Sequence, residues 1–211
     1  MAGSLITFEG IDGSGKSTQI KMLEHEFNNL GVEYKTFREP GGTELSEKIR
    51  VILLDKENIE LISTAESLLF AAARAQLTAE KIKPTIENGK FVICDRFIDS
   101  TIAYQGYGRG LDIKQLEEIN HIATAGLTPD ITFILDISPE AAAERIIAEA
   151  PDRMEGTGVE FFRRIREGYH LIKDQNPNRY RVINGEQSIE NVFKEIKKIV
   201  INIFEEVLIC N

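Results

Sequence analysis

Residues Gly10, Ile11, Asp12, Gly13, Ser14, Gly15, Lys16 and Ser17 match the pattern G-x-x-x-x-G-K-[ST] at every fixed position. The chemistry of that pattern is anion binding. Its glycines let the backbone curl around a phosphate so that successive N–H groups, and the helix N-terminus behind them, all point at the charge. Lys16 is expected to reach the β- and γ-phosphates of a nucleoside triphosphate, and Ser17 to ligate Mg²⁺. The context agrees, because an apolar run at 5–8 precedes the loop and a helical pattern at 18–30, opening on Thr18, follows it. A glycine-rich turn that merely happens to precede a helix is the alternative, and the flanking strand and helix weigh against it.

Such a loop does not by itself separate kinases from GTPases, motor ATPases or nucleotide-dependent switches. The guanine-reading segment [NT]-K-x-D does not occur in the chain. A kinase needs a second site that holds an acceptor in line with the γ-phosphate, and a second anion site should show as arginines placed after strands. Arg38, Arg50, Arg74 and Arg96 are the candidates. Arg74 stands among small and apolar neighbours from Leu68 to Ala75, where a charge is seldom idle. Phe70 lies four residues before it, so a helix would present a ring and a planar donor fork on one face, an arrangement that suits a nucleobase. An amphipathic core helix carrying one snorkelling arginine would leave the same pattern.

A carboxylate for the Mg²⁺ shell is expected where a buried strand stops. Asp95, after 91–94, and Asp136, after 131–135, compete for that place. Asp95 is preferred because Arg96 and a polar cluster follow it, whereas Asp136 leads into Ser138, Pro139 and Glu140, which read as a helix start. If the next stretch is helical, Thr101, Tyr104 and Gln105 share a face and form a polar, partly aromatic wall.

These residues must be carried by the elements between them. Five apolar runs, at 5–8, 34–37, 91–94, 131–135 and 180–183, read as buried parallel strands. Helical patterns occupy 18–30, 44–54, 64–87, 113–125, 139–148, 160–173 and 189–207, with Gly31, Gly89 and Gly126 as stops. The expected fold is α/β, a five-stranded parallel sheet with helices on both faces, in which ligands gather beyond the carboxyl ends of the strands. One domain over 1–211 is expected, with a short lid at about 145–158, where Pro, Gly and charges interrupt two helical patterns.

The 211-residue chain carries a formal net charge of -9. That balance argues against an extended basic surface for nucleic acid or anionic membrane, although a few local arginines can still hold a small anion. Its two cysteines, Cys94 and Cys210, form neither a disulfide framework nor a zinc spacing, which fits a reduced, cytoplasmic setting. No signal-peptide pattern and no run of about 18 apolar residues indicates export or membrane insertion. His25, His121 and His170 are read as surface or satisfied polar positions.

Taken in order, the segments 8–18 (FEGIDGSGKST), 38–43 (REPGGT), 69–74 (LFAAAR), 95–100 (DRFIDS) and 103–110 (AYQGYGRG) make the chain resemble the bacterial thymidylate kinases, on the nucleoside-monophosphate kinase branch of the P-loop proteins. The resemblance covers essentially the whole length. It implies that Gly10 to Thr18, with Arg145, bind ATP. It implies that Phe70 stacks on thymine, that Arg74 donates to a base carbonyl, that Thr101 and Gln105 define the pyrimidine edge, and that Tyr104 crowds the sugar 2′ position. Arg38, Arg50 and Arg96 are assigned to the acceptor phosphate, Glu39 and Asp12 to the metal and sugar surroundings, and Ser100 to the dTMP site. Family members with Gly13 rather than a basic residue in the loop draw a catalytic arginine from the lid, and Arg145 and Arg153 are the candidates.

The activity so implied is transfer of a phosphoryl group from MgATP to dTMP, giving dTDP and ADP, with Lys16, Arg96, Asp12 and a lid arginine such as Arg153 carrying the chemistry. A phosphate acceptor needs no strong base, since its second pKa is about 6, and no obvious histidine or paired-carboxylate base is present. Another small-acceptor kinase, such as a deoxynucleoside kinase, and a nucleotide-dependent switch are the rival readings. A homodimer is implied by the resemblance.

Overall fold

Each of the five strands ends in a polar residue: Glu9 closes β1 (Leu5–Glu9), Arg38 closes β2 (Tyr34–Arg38), Asp95 closes β3 (Phe91–Asp95), Asp136 closes β4 (Ile131–Asp136) and Asn184 closes β5 (Tyr180–Asn184). Every strand therefore runs one residue past its apolar segment. Ladder hydrogen bonds use backbone groups and do not depend on side-chain polarity. Arg38 still pairs with Asp95, Phe8 with Asp95, and Asp136 with Asn184. All pairings are parallel, in the order β2-β3-β1-β4-β5, so the five polar ends stand along one edge of the sheet. The fold is the expected five-stranded parallel α/β sheet.

The computed structural model describes residues 3–146 and 158–204. Its helices are α1 (Lys16–Asn29), α2 (Glu44–Leu54), α3 (Ser63–Leu77), α4 (Lys83–Glu87), α5 (Ile98–Thr101), α6 (Ile113–Thr124), α7 (Pro139–Ile146), α8 (Val159–Gln175) and α9 (Ile189–Ile203). α1 starts two residues earlier than its side-chain pattern, because Gly15, at φ 93°, turns the chain straight into the helix. The pattern at 64–87 becomes α3 and α4 joined through one wide π turn, Thr78–Ile82. Pro84 has no N–H to return and its ring crowds the preceding turn, which favours such a widening just ahead of it. A second π turn, Ile102–Gly108, continues α5.

Both faces of the sheet are covered. On one, Ile6, Phe8, Phe91 and Phe133 pack with Leu23 and Phe27 of α1 and with Val192, Ile196 and Val200 of α9. The α9 residues recur every four positions, so that apolar face is spent on the chain's own core. On the other, Leu5, Val92 and Cys94 meet Leu77, Ile82 and Phe97, while Ile134 meets Phe161, Ile165 and Tyr169. Burial on both faces is why the strands read as continuous apolar runs.

Candidate active site

A cavity of about 810 Å³ opens at the polar edge of the sheet. Nearly every residue singled out from the sequence lines it. From the loop come Asp12, Gly13, Ser14, Gly15, Lys16, Ser17 and Thr18, and from α2 and β2 and its following turn come Arg38, Glu39 and Arg50. Phe70, Arg74, Asp95, Arg96, Ser100, Thr101, Tyr104, Gln105 and Arg145 complete the set. Two expected residues do not line it. Gly10 lies beneath the loop at φ 135°, where a Cβ would sit 2.5 Å from the Leu135 carbonyl oxygen, and the Ile11 side chain is buried in the core. The loop needs glycine at position 10 for packing against β4 and turns the Ile11 side chain away from the cavity. Arg153 and the expected lid, apart from its ends, lie outside the described residues.

Lys16 is nearly buried, and its Nζ donates to the carbonyls of Gly10 at 3.2 Å and Ile11 at 3.1 Å. Burial, and then the neighbouring Arg96, bring its pKa down to about 8, against the pull of Asp95, Asp12 and Glu9. Ser17 Oγ donates to Asp95 Oδ2 at 3.0 Å, so a hydroxyl and a carboxylate meet at the mouth of the loop. Asp136 is committed elsewhere: Arg166 holds both of its oxygens at 2.7 and 2.8 Å, and His170 lies at 3.2 Å. Arg145 donates to the carbonyls of Gly13 and Gly185, at 3.2 and 3.1 Å, and so bridges the loop to the turn after β5.

Arg96 sits in left-handed backbone, φ 71°, a conformation that costs a non-glycine residue about 1–3 kcal/mol. The surroundings hold it there. Its N–H donates to the Phe8 carbonyl at 2.9 Å, and its guanidinium donates to Gly10 O, Ser100 Oγ, Asp12 Oδ1 and the Tyr104 hydroxyl. Tyr104 in turn donates to Asp12 Oδ2 at 2.9 Å. Burial alone would raise the Asp12 carboxyl, but Arg96, Lys16 and the Tyr104 hydroxyl together hold it below the usual carboxylate value.

Arg74 is 2% exposed and its donors face protein acceptors. Nε and Nη2 both lie 2.7 Å from Glu39 Oε2, Nη1 donates to Thr101 Oγ1 and Asn120 Oδ1 at 2.8 and 2.6 Å, and Nη2 donates to the Phe97 carbonyl at 3.0 Å. The expected donor to a base is thus also the hub that ties α3 to the turn after β2, to α5 and to α6. Arg50 donates to the Pro40 carbonyl at 2.9 Å, and Arg38 pairs with Glu47 at 3.0 Å. These last two arginines line the cavity together with Arg96.

The thymidylate kinase family model matches residues 8–196. The chain belongs to the thymidylate kinase family. It is 49% identical over 201 residues to the thymidylate kinase of Caldanaerobacter subterraneus subsp. tengcongensis, covering 95% of this chain and 96% of the relative. It is 48% identical over 202 residues to that of Chlorobaculum tepidum, covering 91% and 94%. The crystal structure of thymidylate kinase from Ehrlichia chaffeensis superposes with a TM-score of 0.79 at 38% identity, covering 95% of this chain and all of that one. The resemblance seen in the segments from 8 to 110 therefore extends through the fold, and this thymidylate kinase family member is an enzyme of the P-loop kinase type.

Around the cavity stand buried residues to which the sequence alone assigned no role, although Glu9 marks the end of the first apolar run. Glu9 is fully buried and accepts from the Phe97 and Ser100 N–H groups at 2.8 and 3.3 Å, and from the Ser100 and Tyr169 hydroxyls at 2.6 and 2.8 Å. It thereby fixes the start of α5, which carries Ser100 and Thr101 and leads on to Tyr104 and Gln105. Burial, and then nearby Asp99, push its pKa up to about 7, against Arg96 and the two hydroxyls. Asn120 of α6 and Tyr169 of α8 carry no local signal, since a single polar residue on an amphipathic helix reads as surface. Glu66 had one: it lies four residues before Phe70 and eight before Arg74, on the same face of α3.

Proposed function

We propose that this chain transfers the γ-phosphoryl group of ATP to the phosphate of dTMP, giving dTDP and ADP. The observation that carries this reading is one cavity with a phosphate loop at one end, the arginines 38, 50 and 96 along its wall, and Phe70 with Gln105 beyond them. Ser17 and Asp95 fit Mg²⁺, because both offer hard oxygen donors and this ion characteristically takes few protein ligands beside phosphate oxygens. Bound there, the ion neutralises phosphate charge.

The protein's part is positioning and electrostatics, since phosphoryl transfer passes through a loose, anionic transition state. The loop from Gly10 to Thr18 holds the donor phosphates, and Arg145, anchored beside the loop, flanks the rest of ATP. Lys16 and Arg96, both of which act electrostatically on the Asp12 carboxylate, supply positive charge to the transferred group, and a lid arginine such as Arg153 adds to it. Arg38, Arg50 and Ser100 hold the acceptor phosphate, which is already largely a dianion at neutral pH. Asp12, Glu39 and Tyr104 surround the sugar, while Phe70, Arg74, Thr101 and Gln105 meet the base. In-line attack by a dTMP oxygen then needs no general base.

A coupled assay of ADP release tests this. ADP should appear with dTMP present and not in its absence, and thymidine, whose acceptor is a hydroxyl, should give none. Thymidine turnover would favour the deoxynucleoside kinase reading, and acceptor-independent ADP release would favour the switch.

We also read the chain as one domain with a lid over 145–158, as cytoplasmic, and as a homodimer. No helix among the described residues is long and apolar enough to cross a membrane. For the dimer, α2, α3 and α6 pack side by side and leave Val51 at 70%, Leu68 at 51% and Ile122 at 77% exposed. We read these exposed apolar residues as the association site, since contiguous apolar surface favours association. Leu68→Glu combined with Ile122→Glu should convert a dimer into a monomer in sedimentation velocity; an unchanged sedimentation coefficient would move the interface elsewhere.

A further inference from the structure

Glu66 is buried to 1% side-chain exposure in an ion pair with Arg109, whose Nη2 lies 3.3 Å from Oε2. The Arg109 guanidinium rests over the Phe161 ring, 4.8 Å from its centroid, which anchors it laterally. So paired, the Glu66 carboxylate has no hydrogen to donate and can only accept. Its Oε1 accepts from Gln105 Nε2 at 3.0 Å. Gln105 is itself 2% exposed and lines the cavity close to Phe70 and Thr101. Its Oε1 takes no protein hydrogen bond among the described residues.

An amide can face a partner either way, but not this partner. Turning Gln105 over would place its oxygen against a carboxylate oxygen with no proton between them, leaving two buried acceptors opposed. Glu66 therefore leaves one orientation: the amide nitrogen inward, the carbonyl oxygen toward the ligand. We propose that Glu66 is a specificity-determining positioning residue, which pins the Gln105 amide so that the cavity offers an acceptor to the N3–H of a keto pyrimidine and rejects cytosine. The proposal rests on reading the acceptor as a pyrimidine nucleoside monophosphate.

The chemistry follows from the bases. Thymine and uracil carry a hydrogen at N3, and cytosine carries a lone pair. Facing Gln105 Oε1, the first two make a hydrogen bond and cytosine leaves two acceptors opposed. Sites built to bond a substrate hydrogen discriminate strongly against analogues that lack it. Glu66 thus separates thymine and uracil from cytosine and has no part in telling thymine from uracil.

The test compares kcat/KM for dTMP, dUMP and dCMP, by coupled ADP release, in wild type, Glu66→Gln and Glu66→Asp. Glutamine keeps the size of Glu66 but can donate as well as accept, so it frees the Gln105 amide to turn. E66Q should raise the dCMP/dTMP ratio of kcat/KM roughly tenfold or more, the ratio set by one mispaired buried polar group, while dUMP/dTMP and KM for ATP stay as in wild type. E66D, still an acceptor only, should retain the wild-type ratio even where its melting temperature is lower. In a Gln105→Ala background E66Q should have no further effect on the ratio. A merely structural Glu66 would change stability in both variants and leave both ratios alone, and that result overturns the proposal. A wild type that turns over another acceptor but not dTMP removes the underlying reading as well; a wild type active on dTMP with an E66Q ratio unchanged removes only the role of Glu66.

Discussion

Lys16→Met is expected to lower kcat at least 10²- to 10³-fold, roughly the loss seen when one preorganised electrostatic donor is removed from an active site, while the protein stays folded. The folded-state consequence has the opposite sign. Lys16 has a pKa of about 8 in the folded chain against an ordinary value of 10.5, so between these pH values the unfolded chain binds more protons. Stability attributable to this group therefore rises as pH climbs from 8 to 10.5, and below pH 8 the full penalty of burying the ammonium is present. K16M removes that penalty, and its melting temperature at pH 7 should equal or exceed that of wild type. The same titration should appear in catalysis. In wild type, kcat/KM for ATP should fall on the alkaline side with an apparent pKa near 8, and the limb should move to higher pH in kcat, because bound phosphate favours the charged lysine. Retained transfer in K16M would undo the assignment of this lysine to the phosphates.

Arg74→Ala should be the most destabilising single change in the site. Truncation strips Glu39, itself 6% exposed, of its buried cation, and breaking a buried ion pair in this way costs about 3–5 kcal/mol. For a chain of this length that corresponds to a fall of roughly 10 °C in melting temperature. The Glu39 carboxyl is already raised by burial in spite of Arg74, and without the arginine it should rise further. Its folded pKa then lies above the unfolded 4.5, so the R74A deficit should shrink as pH falls toward that value and be largest at neutral pH. Adding Glu39→Gln should return part of the loss. In kinetics R74A should raise KM for dTMP far more than KM for ATP, because its partners Thr101 and Phe97 belong to the acceptor end. Equal losses for both substrates would separate Arg74 from the base and leave it a purely structural hub.

Much of this site was legible in the residue order, for a reason specific to parallel α/β folds. Ligand groups follow strands, strands are short apolar runs, and the first polar residue after each run is therefore a site candidate. Glu9, Arg38, Asp95 and Asp136 all stand at such positions. The phosphate loop was legible because its glycines, lysine and serine act over eight consecutive residues and need no distant partner. What could not be read was commitment. Asp95 and Asp136 end adjacent apolar runs and look alike in sequence, yet Arg166 and His170, thirty or more residues away on α8, occupy Asp136, while Asp95 faces Ser17. Arg74 in an apolar stretch admitted both a base donor and a packed core arginine, and the structure combines features of the two by placing it on the cavity wall with its donors turned inward.

The sequence by itself determined the sheet, the anion loop and the family, since these depend on local periodicity, on backbone freedom at glycine and on contiguous motifs. Only the tertiary structure decided which charges neutralise one another and which way an amide faces. Those outcomes depend on partners brought within about 3 Å by packing from elements 35 to 160 positions apart, as Glu39 is to Arg74 and Glu9 to Tyr169. Such pairs leave no spacing to read, because side-chain electrostatics acts through space and the distance along the chain does not enter it.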